Sequence, residues 1–238
     1  MLFQLAISQR TTVYLVFVPP NFFTDPAFVG NSGLTVDDYR AATNLAGLQY
    51  VGYNYIALRG VGDQPGQGAA RYLSVWRNLP ESIFIAREKF FMPDMATQRA
   101  RVLNNEWFVP TNQPPLSQLR PLGHYVYSFD WTTNLPFPRA ETRPAPAATP
   151  PRPYAALPYI AFDYLGRIIP GTTPGADGEY IPLAHGAVEW SRDPVTKQFA
   201  LAPAMIREDP EGNSSNSYYL VHADWLTGRA RMEQRENK

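Results

Sequence analysis

Proline is so frequent in this sequence that it limits how much of the chain can form long helices. The chain has 24 prolines in 238 residues, roughly twice the average usage, and each one removes a backbone donor and interrupts a helix. They are densest between Leu135 and Pro158, separated mostly by Ala, Arg and Thr. This composition favours extended, polyproline-like backbone. Residues 135–158 are therefore predicted to form a strap or linker along the surface, with a PxxP-type ligand as the alternative interpretation.

Composition and charge narrow the class of protein. Hydrophobic residues make up 45 % of the chain, which is enough for a core, and its length favours one domain over 1–238. Basic and acidic residues number 21 each, which removes the electrostatic reason to expect nucleic acid or an anionic membrane surface as a partner. The absence of cysteine excludes disulfides and thiolate sites. His124, His185 and His222 lie far apart in sequence, so a histidine-rich metal site is not expected.

The N-terminal residues change period abruptly. Leu2, Leu5 and Ala6 share one face at helical spacing, and the segment is short enough to be the end of a longer helix over residues 1–9. Thr11–Val18 is β-branched and aromatic, which is typical of a strand. We predict that the helix runs into this strand with almost no loop.

The rest of the chain alternates short strands with turns. Thr35 followed by two aspartates predicts the start of a helix that ends at Gly47, and Gly60–Gly68 predicts a flexible loop. Further predicted elements are strands at Tyr50–Val61, Arg71–Trp76, Ser82–Ala86 and Gly123–Asp130 and a helix at Asp94–Trp107. Residues 159–238 are predicted to be β-rich, with strands at Tyr159–Asp163, Arg167–Ile169, Glu179–Leu183, Ala187–Trp190, Gln198–Leu201, Ser217–Trp225 and Arg229–Glu233.

Two hairpin turns share one pattern. In each, an aspartate, an aromatic residue and a leucine precede a turn glycine and an arginine, beginning at Asp163 and at Asp224. Gly166 and Gly228 are predicted to supply the positive φ that these turns need.

Alternation along the closing hairpin predicts which side chains are buried. Tyr219, Val221, Ala223 and Trp225 are expected to face the core, and Tyr218, Leu220, His222 and Asp224 to be partly exposed. On this basis Trp225→Ala should cost about 3–5 kcal/mol, and His222→Ala under about 1 kcal/mol.

Motifs of enzymes and cofactor sites are missing from the sequence. It has no G-x-S-x-G elbow, P-loop or H-E-x-x-H helix, so we predict no catalytic residue and no cofactor. A calcium candidate is the loop with oxygen ligands at alternate positions, Asp209, Glu211 and Asn213, with Asn216 close behind. A solvated loop is the alternative, and we expect that no metal is needed for folding and that a chelator leaves the melting temperature unchanged.

Several strings resemble type IV pilin-like proteins, in particular the pseudopilin H/FimT-like group. Gln4–Phe17 resembles the junction at which the long N-terminal helix of that family passes into its first strand. Phe162–Arg167 resembles a recurrent hairpin, and Val221–Arg231 resembles the closing hairpin that ends in T-G-R. Arg71–Glu81 is similar to an insertion of some prepilin-type proteins.

The resemblance implies an α+β head in which the remnant of an N-terminal helix packs on an antiparallel sheet, with the Pro-rich strap as decoration. The family's basic leader, its cleavage site before a phenylalanine, its glutamate and its membrane helix would precede this sequence, which predicts a fragment of a longer chain. The implied function is that of a minor pilin or pseudopilin in a type IV pilus or type II secretion filament. Its partners would be other subunits in the cell envelope, periplasmic or extracellular, with membrane contact only through the missing helix.

Two other functions remain open. One is a secreted carbohydrate- or protein-binding β domain that uses aromatic and arginine side chains. The other is a hydrolase with Asp163 and Asp224 as an acid pair, although an aspartate before a turn ordinarily stabilises that turn.

Overall fold

The computed structural model describes residues 2–29, 34–59, 70–90, 100–102, 125–143, 154–169 and 178–236. The fold is mixed, with few helices and antiparallel sheets, as the α+β expectation requires at this coarse level. The helices in these ranges are α1 (Leu2–Gln9), α2 (Val36–Ala46) and the one-turn α3 (Asn213–Asn216). The strands are β1 (Val13–Phe17), β2 (Gly52–Ala57), β3 (Arg71–Tyr72), β4 (Arg77–Asn78), β5 (Ile83–Ile85), β6 (Ala100–Val102), β7 (Tyr125–Tyr127), β8 (Asp130–Thr132), β9 (Leu157–Phe162), β10 (Ile168–Ile169), β11 (Gly178–Glu189), β12 (Met205–Glu208), β13 (Ser217–Asp224) and β14 (Ala230–Glu236).

Two sheets carry most of the strands. The first has the order β10-β9-β1-β2-β3, with β4 also paired to β2 and β8 also paired to β9. The second has the order β12-β11-β13-β14, with β5 also paired to β11, and β6 and β7 form a separate pair. Because β1 lies between β9 and β2, the first predicted strand is the centre of the larger sheet.

Strand β1 is buried on both faces, as its nearly continuous apolar sequence indicates. Leu15 and Phe17 enter a core that the two sheets share, which also contains Leu183 of β11. Val16, on the opposite face, enters a second core that includes Leu45 of α2. The larger sheet therefore lies between the second sheet and helix α2.

Helix α2 is confirmed with the expected cap. The Thr35 hydroxyl accepts a hydrogen bond from the Asp38 backbone N–H, and the Asp38 carboxylate accepts one from the Thr35 backbone N–H. The same carboxylate accepts hydrogen bonds from Arg139 and Thr142. The helix start is thus tied to the first part of the Pro-rich segment.

The Pro-rich segment differs from the surface strap that was expected at both of its described ends. Leu135 and Phe137 are each 1 % exposed and lie in the core beneath α2, and Ala155 and Leu157 join them. Apolar residues between the prolines bury these ends, because extended backbone still presents side chains that can pack. Residues 144–153 lie outside the described ranges.

The predicted helix-to-strand junction is confirmed. Helix α1 ends at Gln9, β1 begins at Val13, and Arg10 makes the turn with a φ of 50°. Ala6 is completely buried and packs in the core shared by the two sheets. Of the helices in the described part of the chain, none combines the length and apolar character needed to cross a membrane.

Several predicted elements are corrected. The helix predicted at Asp94–Trp107 is wrong at Ala100–Val102, which forms β6; the remaining residues of this range and the Gly60–Gly68 loop lie outside the described ranges. The strand predicted at Arg71–Trp76 is confined to β3. In place of a strand at Gln198–Leu201, only Phe199 forms a bridge, with Arg192.

Strand β11 continues through the point where two separate strands were expected. A Cβ at Gly186 would lie 2.1 Å from the Arg207 carbonyl oxygen of β12, and the φ of 148° is one that side chains rarely adopt. Glycine therefore permits the close approach of β12, which the sequence analysis missed. Strand β12 is an edge strand of this sheet, and the alternation of exposure along it indicates that one of its faces is more covered than the other.

Candidate functional site

The aspartates of the two matching hairpins are turn anchors. Asp163 Oδ1 accepts hydrogen bonds from the backbone N–H groups of Leu165 and Arg167, both at 2.9 Å. Asp224 Oδ1 accepts from the backbone N–H and the hydroxyl of Thr227, both at 2.8 Å. The following glycines, Gly166 and Gly228, have φ values of 82° and 60°, as predicted.

The electrostatics of this acid pair do not suit a general acid. Burial raises the pKa of Asp163, but hydrogen bonds from Arg167 and Leu165 outweigh it and hold this pKa below its usual value. Hydrogen bonds from Thr227 lower the pKa of Asp224. A carboxylic acid that donates a proton in hydrolysis needs the opposite shift.

The turns of the two hairpins each expose apolar side chains. The backbone N–H of Ile168 donates to the Trp225 carbonyl oxygen at 2.8 Å, which joins the hairpins. Tyr164, Leu165, Trp225 and Leu226, here called the hairpin patch, are each 43–59 % exposed. Exposed apolar residues grouped in this way mark interaction surfaces.

The predicted faces of the closing hairpin are confirmed for Tyr219, Val221 and Ala223, which pack in or against the shared core, and wrong for Trp225 and for the face of Leu220 and His222. Leu220 and His222 are 0 % and 7 % exposed, whereas Trp225 is 43 % exposed. Strand β13 ends at Asp224, so Trp225 lies in the turn and no longer follows the alternation of the strand. The even-numbered face is covered as well, because the His222 ring stacks on Tyr180 of β11, with ring centres 4.3 Å apart.

The expected cost of substitutions in this hairpin is therefore reversed. His222→Ala should lower the free energy of unfolding by about 1–3 kcal/mol because it removes a buried stacked ring. Trp225→Ala should lower it by less than about 1 kcal/mol, as for an exposed site. Denaturant unfolding of both variants provides the measurement. A larger loss for Trp225→Ala would contradict the described burial.

The calcium candidate loop supports a neighbouring strand. The Asn213 side chain accepts a hydrogen bond from the His185 backbone N–H at 2.9 Å and donates to the His185 carbonyl oxygen. Asp209 and Glu211 are exposed, and Asn216 lies at the end of α3. Among the residues that the structure describes, no three acidic or histidine side chains form a group that could hold a metal ion.

A buried ion pair links two distant parts of the chain. Lys89, in the 3₁₀ turn Arg87–Phe90, is 1 % exposed, and its Nζ donates to Glu179 Oε1. The Phe129 ring centre lies 4.7 Å from the same Nζ. Burial raises the pKa of the Glu179 carboxyl, and Lys89 opposes this shift. The sequence analysis missed this pair. The local signal in the sequence was that Lys89 precedes two apolar residues, Phe90 and Phe91.

An open groove of about 630 Å³ lies between α2, the β2–β4 edge of the larger sheet and the first part of the Pro-rich segment. Its lining combines the aromatic residues Tyr72 and Trp76 with the polar residues Asn44, Arg71 and Glu141. A concave site of this size and mixed polarity is suited to a small ligand.

No family model matches the sequence, and no curated protein or solved structure matches the chain.

Proposed function

We propose that this chain is the globular head of a minor pilin or pseudopilin, a structural subunit of a type IV pilus or type II secretion filament. The observation that carries the proposal is the attachment of α1. This helix packs on β1 and β9 and leads within three residues into the central strand of the larger sheet. In this proposal α1 is the end of a longer helix, and the head is an α+β pilin-like domain.

The attachment couples the helix firmly to the core. Ala6 is completely buried and Leu5 packs beside it, while Ile7 on the outer side is 47 % exposed. The strand that follows is hydrogen-bonded to a neighbour on each side. A subunit held in a filament by its helix needs such a connection, because force on the helix must reach the head without unfolding it.

The hairpin patch supports the same function. Covering its four exposed apolar side chains with another subunit would lower the free energy, since burial of apolar area is favourable. The proposed partners are therefore other pilin or pseudopilin subunits in the cell envelope. Inner-membrane anchoring before assembly would come from the helix proposed to precede α1.

The first test is the coding sequence upstream of Met1 in the same reading frame. The proposal expects a short basic leader, a cleavage site followed by phenylalanine, a glutamate five residues into the mature chain and about 20 apolar residues. An independent start with an ordinary secretion signal would contradict it and would favour a secreted binding domain.

A second test follows the full-length protein in the cells that express it. Tagged protein should be recovered with filaments sheared from the cell surface. The double variant Tyr164→Asp with Leu226→Asp should reduce this recovery at equal expression, because it places charges in the hairpin patch. Val195→Asp is the control, since Val195 is 86 % exposed and lies beyond Glu189, at the other end of β11 from Gly178, which pairs with Asp224. Equal recovery of all three proteins would remove the assigned role of the patch.

A further inference from the structure

The groove beside α2 has a rigid aromatic wall. The rings of Tyr72 and Trp76 lie 5.7 Å apart, and Trp76 packs edge-on against the buried Phe137 at 6.1 Å. The Tyr72 hydroxyl donates to the Pro136 carbonyl oxygen at 2.7 Å, so its polar atom is already used. What the wall offers a ligand is therefore mainly apolar ring surface.

The polar floor of the groove is also preorganised. The Asn54 side chain donates to the Ser74 carbonyl oxygen at 3.2 Å and accepts from the Ser74 hydroxyl at 2.8 Å. Asn54 is 1 % exposed. These bonds hold the β2–β4 edge in place. Because Asn54 and Ser74 bond to each other, the polar groups that recognise a ligand must lie at the rim of the groove.

The rim carries polar groups that the fold does not use. Arg71 and Asn44 are exposed and lie on opposite walls, and neither makes a side-chain hydrogen bond or an ion pair with any residue in the described ranges. Arg139 differs, because Asp38 holds its guanidinium at 3.2 Å and Glu141 lies 3.9 Å away. Among the described residues that line it, the groove thus presents one available cation, one available amide and the exposed carboxylate of Glu141.

We infer that this groove binds an acidic saccharide, a sugar ring that carries one carboxylate. The apolar face of the ring would pack on Trp76, and the carboxylate would pair with the Arg71 guanidinium, whose planar fork suits it. Asn44 and Glu141 would bind ring hydroxyls, as donor and acceptor. Glu141 also repels polyanions, which disfavours phosphate-rich ligands. This binding role goes beyond filament assembly and does not depend on it.

The test is titration calorimetry of the purified chain with monomeric uronates (galacturonate, glucuronate and mannuronate), each of which carries one carboxylate, and with neutral maltose. At least one uronate should bind saturably, and about tenfold or more tightly than maltose. Arg71→Gln should weaken uronate binding by about tenfold or more and leave weak maltose binding unchanged. Trp76→Leu should weaken both. Arg207→Gln, which makes the same charge change on β12, is the matched control and should leave binding unchanged.

Several outcomes would overturn the inference. Absence of binding to every uronate would do so, as would equal binding of maltose, or uronate binding that Arg71→Gln leaves intact. Tighter binding of a short polyglutamate peptide would assign the groove to an acidic peptide instead. Unfolding curves of each variant show whether lost binding comes from lost structure.

Discussion

Lys89→Met should lower the free energy of unfolding by about 3 kcal/mol. The substitution retains apolar bulk but leaves the Glu179 carboxyl without the ammonium group that it contacts. Removing one partner of a buried ion pair typically costs about 3–5 kcal/mol. We expect the lower end of this range because the Glu179 side chain retains 24 % exposure. Urea unfolding at neutral pH measures the loss.

The dependence of this loss on pH identifies its cause. Burial already raises the pKa of Glu179, and removal of Lys89 should raise it further. A carboxyl with a higher pKa in the folded than in the unfolded chain favours folding while protonated, and that contribution is lost as pH rises through the folded pKa. The deficit of Lys89→Met should therefore shrink on acidification.

Two further variants make the ion-pair prediction falsifiable. Lys89→Met combined with Glu179→Leu should recover most of the loss, because the Glu179 carboxylate is then no longer left buried without its ammonium partner. Lys197→Met, at an exposed lysine, should change stability by less than about 0.5 kcal/mol. A double variant as unstable as Lys89→Met would show that packing around Lys89, and not the pairing, is responsible.

Phe137→Ala should lower the free energy of unfolding by about 3–5 kcal/mol. Phe137 is 1 % exposed, and its ring contacts those of Phe22 and Phe28 edge-on, with centres 5.1 and 5.9 Å apart. Truncation leaves a cavity between the Pro-rich segment and the loop after β1. The prolines in these two segments limit how far the cavity can collapse. Denaturant unfolding measures the loss.

The size of the side chain provides the control for this second variant. Phe137→Leu retains most of the volume and should cost less than about 1.5 kcal/mol. If alanine proved as mild as leucine, the described end of the Pro-rich segment would not be part of the stabilising core. It would then act as the surface strap that its composition suggests.

Elements set by nearby residues were predictable from the sequence. Thr35 with Asp38 specifies the start of α2, because the cap is completed within one helical turn. The turns at Gly166 and Gly228 follow from an aspartate three or four positions before each glycine, for the same local reason. The change of period after Gln9 likewise placed α1 and β1 correctly.

Features that join distant residues were not predictable. Lys89 and Glu179 are 90 positions apart, and nothing near either residue specifies the other. The burial of His222 depends on Tyr180 in a neighbouring strand, and alternation alone gives the two faces of β13 without saying which is covered. The groove exists only because α2, β3 and the Pro-rich segment meet.

The sequence by itself determined that this chain is rich in short strands and turns, with a helix just before its first strand and a capped helix at Thr35, since turn and capping signals act over a few residues. Only the tertiary structure decided that β1 is central, that Phe137 is core and that Trp225 is exposed at a turn. The physical reason is that burial is a property of what packs against a side chain. For this chain, most of those neighbours come from segments far away in sequence.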